Sequence, residues 1–232
     1  MDYTSDALPS PTVSDAVTSR RSLRAFNDTP VDGKTVRQIL DTAARAPSGT
    51  NMQPWRAYVL EGAQLDRTVE AIHADFDAGV AFDSEEKYYP DTFFEPYLTR
   101  RRTVGLGLYK LLGLTRENRE GMAAQHRRNF QFFDAPVGMV FTIDRRLNTG
   151  SWLDYGMFLQ NIMLLAREAG LHTCPQAAFC GYHAALRRTL PIPETETVVC
   201  GLSMGYATLD DPANQLVTER APLSDWATFL SD

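Results

Sequence analysis

From Pro136 to Ile143 the chain is almost continuously apolar, and from Leu153 to Ala169 it is apolar on every side of a helical projection. A strand without polar alternation has to be covered on both faces, and a helix without a polar stripe has to lie at the centre of whatever packs around it. The pair therefore defines a core, with Gly170 ending the helix. A strong strand from Val198 to Tyr206 and a short helix near Ala184 to Leu190 complete it, and Pro212, Asn214 and Pro222 forbid a long regular element in the tail. With 232 residues the chain can bury this core as one domain. Helices and strands mix without strict alternation, so the expected class is α+β with a mostly antiparallel central sheet flanked by helices.

The N-terminal half reads in shorter pieces. Residues 1–11, with Pro9 and Pro11 among small polar residues, are expected to form a flexible arm ahead of a single domain over 12–232. A helix follows around Val13 to Arg20, capped by Ser14 or Thr12. Arg56 to Leu60 reads as a strand, and Leu65, Val69, Ile72 and Phe76 form a helical stripe that ends near Gly79. From about 81 to 128 the pattern is irregular: an aromatic stretch (Tyr88, Tyr89, Phe93, Phe94, Tyr97), an arginine run at 100–102, then a helix through Leu106, Tyr109, Leu111 and Leu112. This segment is expected to be a mobile insertion.

Chemistry concentrates in the run RRSLRAFNDTPVDGKTVRQILDTAARAPSGTNMQPW, from Arg20 to Trp55. Arg20, Arg21 and Arg24 offer fork-shaped donors suited to a phosphate or a ring carbonyl, and Ser22 adds a hydroxyl. Val36, Ile39, Leu40, Ala43 and Ala44 fall on one face of a helix, with Asp32 as N-cap and Pro47 as stop. The turn beyond carries Ser48, Asn51 and Gln53 beside two prolines. It is either a plain helix-stopping turn or a rigid rim able to hydrogen-bond a planar heterocycle.

Several classes are excluded. A net charge of −6 argues against general nucleic-acid or anionic-membrane binding, while the bunched arginines suit a small anionic ligand. No apolar run reaches a membrane-spanning length and the first residues lack a secretory pattern, so a cytoplasmic protein is expected. Cys174, Cys180 and Cys200 show no CxxC spacing and read as buried reduced thiols. His73, His126, His172 and His183 show no metal spacing, and Gly105-Leu106-Gly107 is no nucleotide fingerprint, since it follows an arginine run rather than a strand.

The Arg20–Trp55 run resembles the N-terminal signature of the FMN-dependent nitroreductase family, in which RRSxR is followed by a P-V pair, a helix and APSGTNxQPW. Weaker echoes continue in NFQFFDAPVGMVFTID, CGLSMGYA and RAPLSDW, and YYPDTFFEPYLTRRR resembles the nitrobenzoate or nitroaromatic reductase branch. The resemblance implies an intertwined homodimer with two FMN sites at the subunit interface and a C-terminal tail reaching over the partner. It assigns Arg20 and Ser22 to the FMN phosphate or ribityl side, Arg24 to the pyrimidine edge of the flavin, and Arg220 to the phosphate, with Arg21 a further cofactor-binding candidate. Pro47, Ser48, Asn51, Gln53, Asn129 and Gly205 are the further cofactor candidates. Pro175 and Gln176 stand where the family's backbone meets flavin N5, although CPQAAF departs from the commoner motif there. Tyr88, Phe93, Phe94 and Arg101 are expected to line the substrate mouth.

The implied activity passes hydride from NADH or NADPH through FMN to a nitroaromatic or quinone-type acceptor, in ping-pong fashion. The flavin carries the chemistry, and no dedicated catalytic acid or base and no metal is called for. The rivals are a flavin-binding sensor without turnover and a flavin-dependent dehalogenase-like relative.

Overall fold

The computed structural model describes residues 9–231. Its centre is a four-stranded antiparallel sheet of β1 (Arg56–Leu60), β2 (Val137–Asp144), β3 (His172–Gln176) and β4 (Glu196–Gly205), in the order β1-β2-β4-β3. Tyr58 faces Val140, Val140 faces Gly201, and Met204 faces Thr173 across the pairs. The two inner strands are buried along nearly their whole length, which is why their sequences run apolar without alternation.

One face of the sheet is covered by α2 (Gly33–Ala43) and α6 (Thr149–Glu168), whose Val36, Ile39, Tyr155, Phe158 and Ile162 meet Met139, Phe141 and Ile143. Asp32 caps α2 through its side chain, accepting from the Lys34 amide at 3.2 Å. The opposite face is covered by α3 (Gly62–Asp77), α7 (His183–Thr189) and two turns rich in phenylalanine, 128–134 and 177–182. Here Phe132 and Phe179 stack with centroids 4.5 Å apart over Gly138 and Gly201. A Cβ on Gly201 would come within 2.4 Å of the Phe179 ring, so the glycine makes room for the aromatic pair. Phe132 and Phe133 adopt left-handed backbone angles (φ 52° and 54°), a strain of about 1–3 kcal/mol each that is offset by complete burial of both rings.

Four expectations are revised. β3 escapes the periodicity reading because HTCPQ is polar and holds a proline; Pro175 is tolerated since β3 is an edge strand. The segment 81–128 is more regular than its sequence suggests. It contains α4 (Tyr97–Leu111), which starts well before Leu106 and takes in Arg100, Arg101 and Arg102, and α5 (Arg119–Arg127). No residue of α4 is buried, so no apolar stripe announces it. The helix α6 is buried on one side only: Leu153 is 69% exposed, while Trp152, Met157 and Leu159 are half-buried. Of the arm, residues 1–8 lie outside the described residues, whereas Ser10 is buried and donates its amide to the Arg167 carbonyl at 3.0 Å. The first helix, α1 (Val13–Ser19), is capped by Thr12, which accepts from the Asp15 amide.

Candidate active site

After α1 the chain runs extended alongside β3, bridging Ser22 to Thr173, and then pairs Phe26 with Ala207 beyond β4. Extended backbone sends alternate side chains to opposite sides. Leu23 and Ala25 accordingly enter the core, while Arg20, Ser22 and Arg24 face a cleft. The cleft has a volume of about 650 Å³, and Arg21 and the tail residues Leu216, Val217, Thr218 and Arg220 also line it; Val104 of α4 closes one side. Residues twenty and two hundred and twenty thus share one cavity, although they come from opposite ends of the chain.

Among the described residues that line this cleft, the charged ones are all arginines. Burial, and then the Arg220 cation facing it, hold the Arg20 guanidinium below its ordinary value. Among the described residues no carboxylate lies within 4 Å of Arg20, Arg24 or Arg220. Among the described residues Arg220 is steadied by neutral oxygens, donating to the carbonyls of Thr218 and Glu219 and to the Thr218 hydroxyl at 2.9–3.1 Å. Arg24 donates to the Ser22 carbonyl at 3.1 Å. Guanidiniums that line one cleft, one of them half-buried, repel each other, and an anion between them relieves the repulsion. A dianionic phosphate monoester supplies the missing charge, and forked donors match its oxygens.

The Pro47–Gln53 turn lines no part of that cleft. It is braced from beneath by Asp154 of α6, whose buried carboxylate accepts from the Gly49 amide at 3.0 Å. Ser48 accepts from the Gln53 amide at 3.1 Å, and Thr50, Asn51 and Gln53 all have positive φ. The result is a rigid turn that leaves the Asn51 and Gln53 side chains exposed.

Over residues 17–206 the sequence matches the model of the Nitroreductase family. The chain belongs to the nitroreductase family. Within it, the chain is 40% identical over 230 residues to a 4-nitrobenzoate reductase of Nocardioides sp. (strain LMS-CY), covering 97% of this chain and 93% of that one. It is 41% identical over 224 residues to a chloronitrobenzene nitroreductase of Comamonas testosteroni, covering 96% and 99%. The fold superposes with a TM-score of 0.92 on the FMN and NADPH-dependent nitroreductase NfnB of Sphigopyxis sp. strain HMH, at 36% identity over 95% of this chain and 100% of that one.

The other expected cofactor and substrate residues do not line the arginine cleft. Gln176 is buried and its side-chain amide is used inside the protein, donating to the Asn129 carbonyl at 2.7 Å and accepting from the Ser203 hydroxyl at 2.6 Å. Gly205 is likewise a packing position: a Cβ there would meet Pro136 at 2.7 Å and Phe26 at 3.4 Å. The Asn129 amide is exposed and donates to the His126 carbonyl. Arg101 lies over the Phe93 ring at 4.5 Å, Phe94 is exposed and packs edge-on against Tyr97, and Tyr88 lines a second cavity of about 340 Å³ with Trp152, Tyr155 and Leu159.

Sequence reasoning overlooked Asp154 and Glu85. Glu85 docks the start of the insertion on the body, together with Phe82 packed on Gly181 and the Asp83 amide donating to the Gly181 carbonyl. Its carboxylate receives Arg145, Arg187 at 3.1 Å, the Thr197 hydroxyl at 3.1 Å and the Val198 amide at 3.4 Å, with His183 Nδ1 3.4 Å away. Burial pushes this carboxyl up, but the surrounding cations outweigh it and hold it below the usual carboxylate range. Neither residue follows a motif, and each is recognisable only once α6 and β4 are in place. The three cysteines are free and buried, and burial pushes Cys174 up to about 11 and Cys180 up to about 12, which leaves them protonated at neutral pH.

Proposed function

We propose that this chain is an FMN-dependent oxidoreductase that passes hydride from NADH or NADPH to nitroaromatic or quinone-type acceptors. The observation that carries the reading is the cleft that Arg20 and Arg220 both line, with no carboxylate among its described lining residues. Its donors fit a flavin phosphate, and its volume lies within the range of sites for cofactor-sized ligands. The names of the relatives support the acceptor class, and that of the NfnB structure supports FMN and NADPH. When bound, FMN supplies a two-electron carrier that accepts hydride from the nicotinamide and returns it to the acceptor. The protein's part is binding and polarity. Arg20, Arg21, Ser22 and Arg220 hold the phosphate and ribityl end, and Arg24 places a cation at the pyrimidine edge, where it favours negative charge on the ring.

We further infer a homodimer. In one chain the outward side of α6 and the tail expose apolar side chains: Leu153, Trp226, Phe229 and Leu230, the last 92% exposed. A second copy covers such surface and brings the exposed Asn51 turn to the partner's cleft, so that each site draws on both chains. Among the described residues no helix is long and apolar enough to cross a membrane, and the buried free thiols suit a cytoplasmic setting.

In this reading the segment from Tyr88 to Arg101 faces the acceptor. One set of steady-state rates tests both claims. With nicotinamide and nitroarene varied together, the parent should give parallel double-reciprocal lines, as a shared site used in turn requires; intersecting lines would contradict it. Phe93→Ala removes the ring under the Arg101 guanidinium, a contact worth about 0.5–1 kcal/mol. Phe93→Ala and Arg101→Ala should therefore shift the ratio of kcat/KM on a carboxylated versus a neutral nitroarene by roughly two- to fivefold, with FMN affinity nearly unchanged. An unchanged ratio with lower stability would make this segment ordinary packing.

A further inference from the structure

The two halves of the arginine cleft are far apart in sequence, and something has to fix their spacing. Asn214 joins them. It is 1% exposed and its side chain makes three hydrogen bonds to backbone. Its Oδ1 accepts from the Arg24 amide at 2.5 Å, and its Nδ2 donates to the carbonyls of Ala25 and Thr208, both at 2.8 Å. Its own carbonyl accepts from Arg21 Nη1 at 2.9 Å. The position is itself fixed, since the Asn214 amide donates to the Asp211 carbonyl at 2.9 Å while Asp211 Oδ1 caps the Ala213 amide at 2.8 Å. From Asn214 the chain passes along the cleft wall through Leu216, Val217 and Thr218 to Arg220.

We propose that Asn214 is a positioning residue that sets the spacing of Arg20 and Arg220, so that the cleft selects a phosphorylated flavin over its dephosphorylated form. The inference rests on the reading of the cleft as a flavin phosphate site. An amide is the side chain that meets this demand, because one backbone N–H and two carbonyls have to be satisfied at once. Aspartate cannot donate to Ala25 or Thr208, and leucine leaves the buried Arg24 amide without its acceptor, while the Ala25 and Thr208 carbonyls keep only the Thr208 and Asp211 amides. With the clamp released, the tail carrying Arg220 loses its register against the Arg20–Phe26 segment. The Asn51 turn is held by Asp154 and Ser48 and does not depend on that register, whereas a phosphate held from both sides does.

The experiment compares FMN with riboflavin, which lacks the phosphate, by fluorescence titration of the full-length chain and its Asn214→Asp, Asn214→Leu and Asn214→Ser variants. The ratio of the riboflavin Kd to the FMN Kd should fall by roughly tenfold or more in Asn214→Asp and Asn214→Leu, with the riboflavin Kd changing by less than about threefold. Asn214→Ser, which keeps one donor in a smaller side chain, serves if those two do not fold, and its ratio should fall by at least about threefold. A ratio equal to the parent's, with both ligands weakened together, would make Asn214 a fold residue and overturn the inference. Arg20→Ala and Arg220→Ala separate the levels. If they lower the ratio and the Asn214 variants do not, only the inference fails; if they leave it unchanged, the phosphate reading itself fails.

Discussion

Arg20→Ala or Arg220→Ala should raise the FMN Kd by roughly tenfold to more than a hundredfold, since each removes a charge-assisted hydrogen bond worth about 1.5–3 kcal/mol. Both side chains line one cleft, and Arg20 feels Arg220 as a like charge. Without flavin, either substitution relieves that repulsion. The flavin-free protein should therefore keep or slightly gain thermal stability while FMN-induced stabilisation collapses. The double variant should lose less than the sum of the two, because both arginines act on one phosphate. Fluorescence titration and melting with and without FMN read these effects. Unchanged affinity in both single variants would remove the phosphate from this cleft.

The second large effect is expected at Glu85. Its side chain is 11% exposed and gathers Arg145 and Arg187 while bonding Thr197 and Val198. Truncation leaves guanidiniums facing each other in a half-buried place. Breaking a fully buried ion pair costs about 3–5 kcal/mol, and the exposure of Arg145 reduces this to about 2–3 kcal/mol for Glu85→Ala. Urea unfolding measures it. The pH dependence follows from linkage: the carboxyl sits below its unfolded value, so the unfolded chain binds more protons in the acid range and the contribution is complete above the unfolded pKa of about 4.3. It is lost as the pH falls through the depressed folded value. The stability difference between parent and Glu85→Ala should therefore be flat from neutral pH to about 5 and shrink below it. A difference that stays constant into strong acid would show that Glu85 is not ionised in the fold.

What was legible in the sequence follows from which surfaces one chain buries. β2 and β4 are covered on both faces, so their apolar runs were readable, and the caps Thr12 and Asp32 stand where short polar side chains precede periodic ones. β1 was bounded by the turn before it and reads correctly from Arg56 to Leu60. By contrast α4 buries none of its residues and carries two glycines, so only its second half, through Leu106, Tyr109 and Leu111, was readable and its start at Tyr97 was not. β3 was hidden by Pro175 at a sheet edge. At the candidate site the arginines were legible as forked donors. Asp154, Glu85 and Asn214 were not, because each acts on partners far along the chain, 105 residues away for Asp154 and Gly49, 60 for Glu85 and Arg145 and 190 for Asn214 and Arg24, and no spacing rule links such pairs. Gln176 and Gly205 have packing roles that their residue types did not announce: a hydroxyl and a carbonyl of the same chain bond the Gln176 side chain, and Pro136 lies where a Cβ on Gly205 would go.

The central claim is tested most directly by taking the reaction apart. The purified protein, loaded with FMN and kept free of oxygen, is mixed first with NADPH or NADH and then with a nitroarene, and the flavin absorbance is followed through both additions. The account predicts that the yellow colour bleaches with one equivalent of nicotinamide per flavin and returns when the nitroarene is added, each step in the absence of the other substrate. A protein that stays yellow with both nicotinamides, or bleaches only when nitroarene is already present, would contradict it.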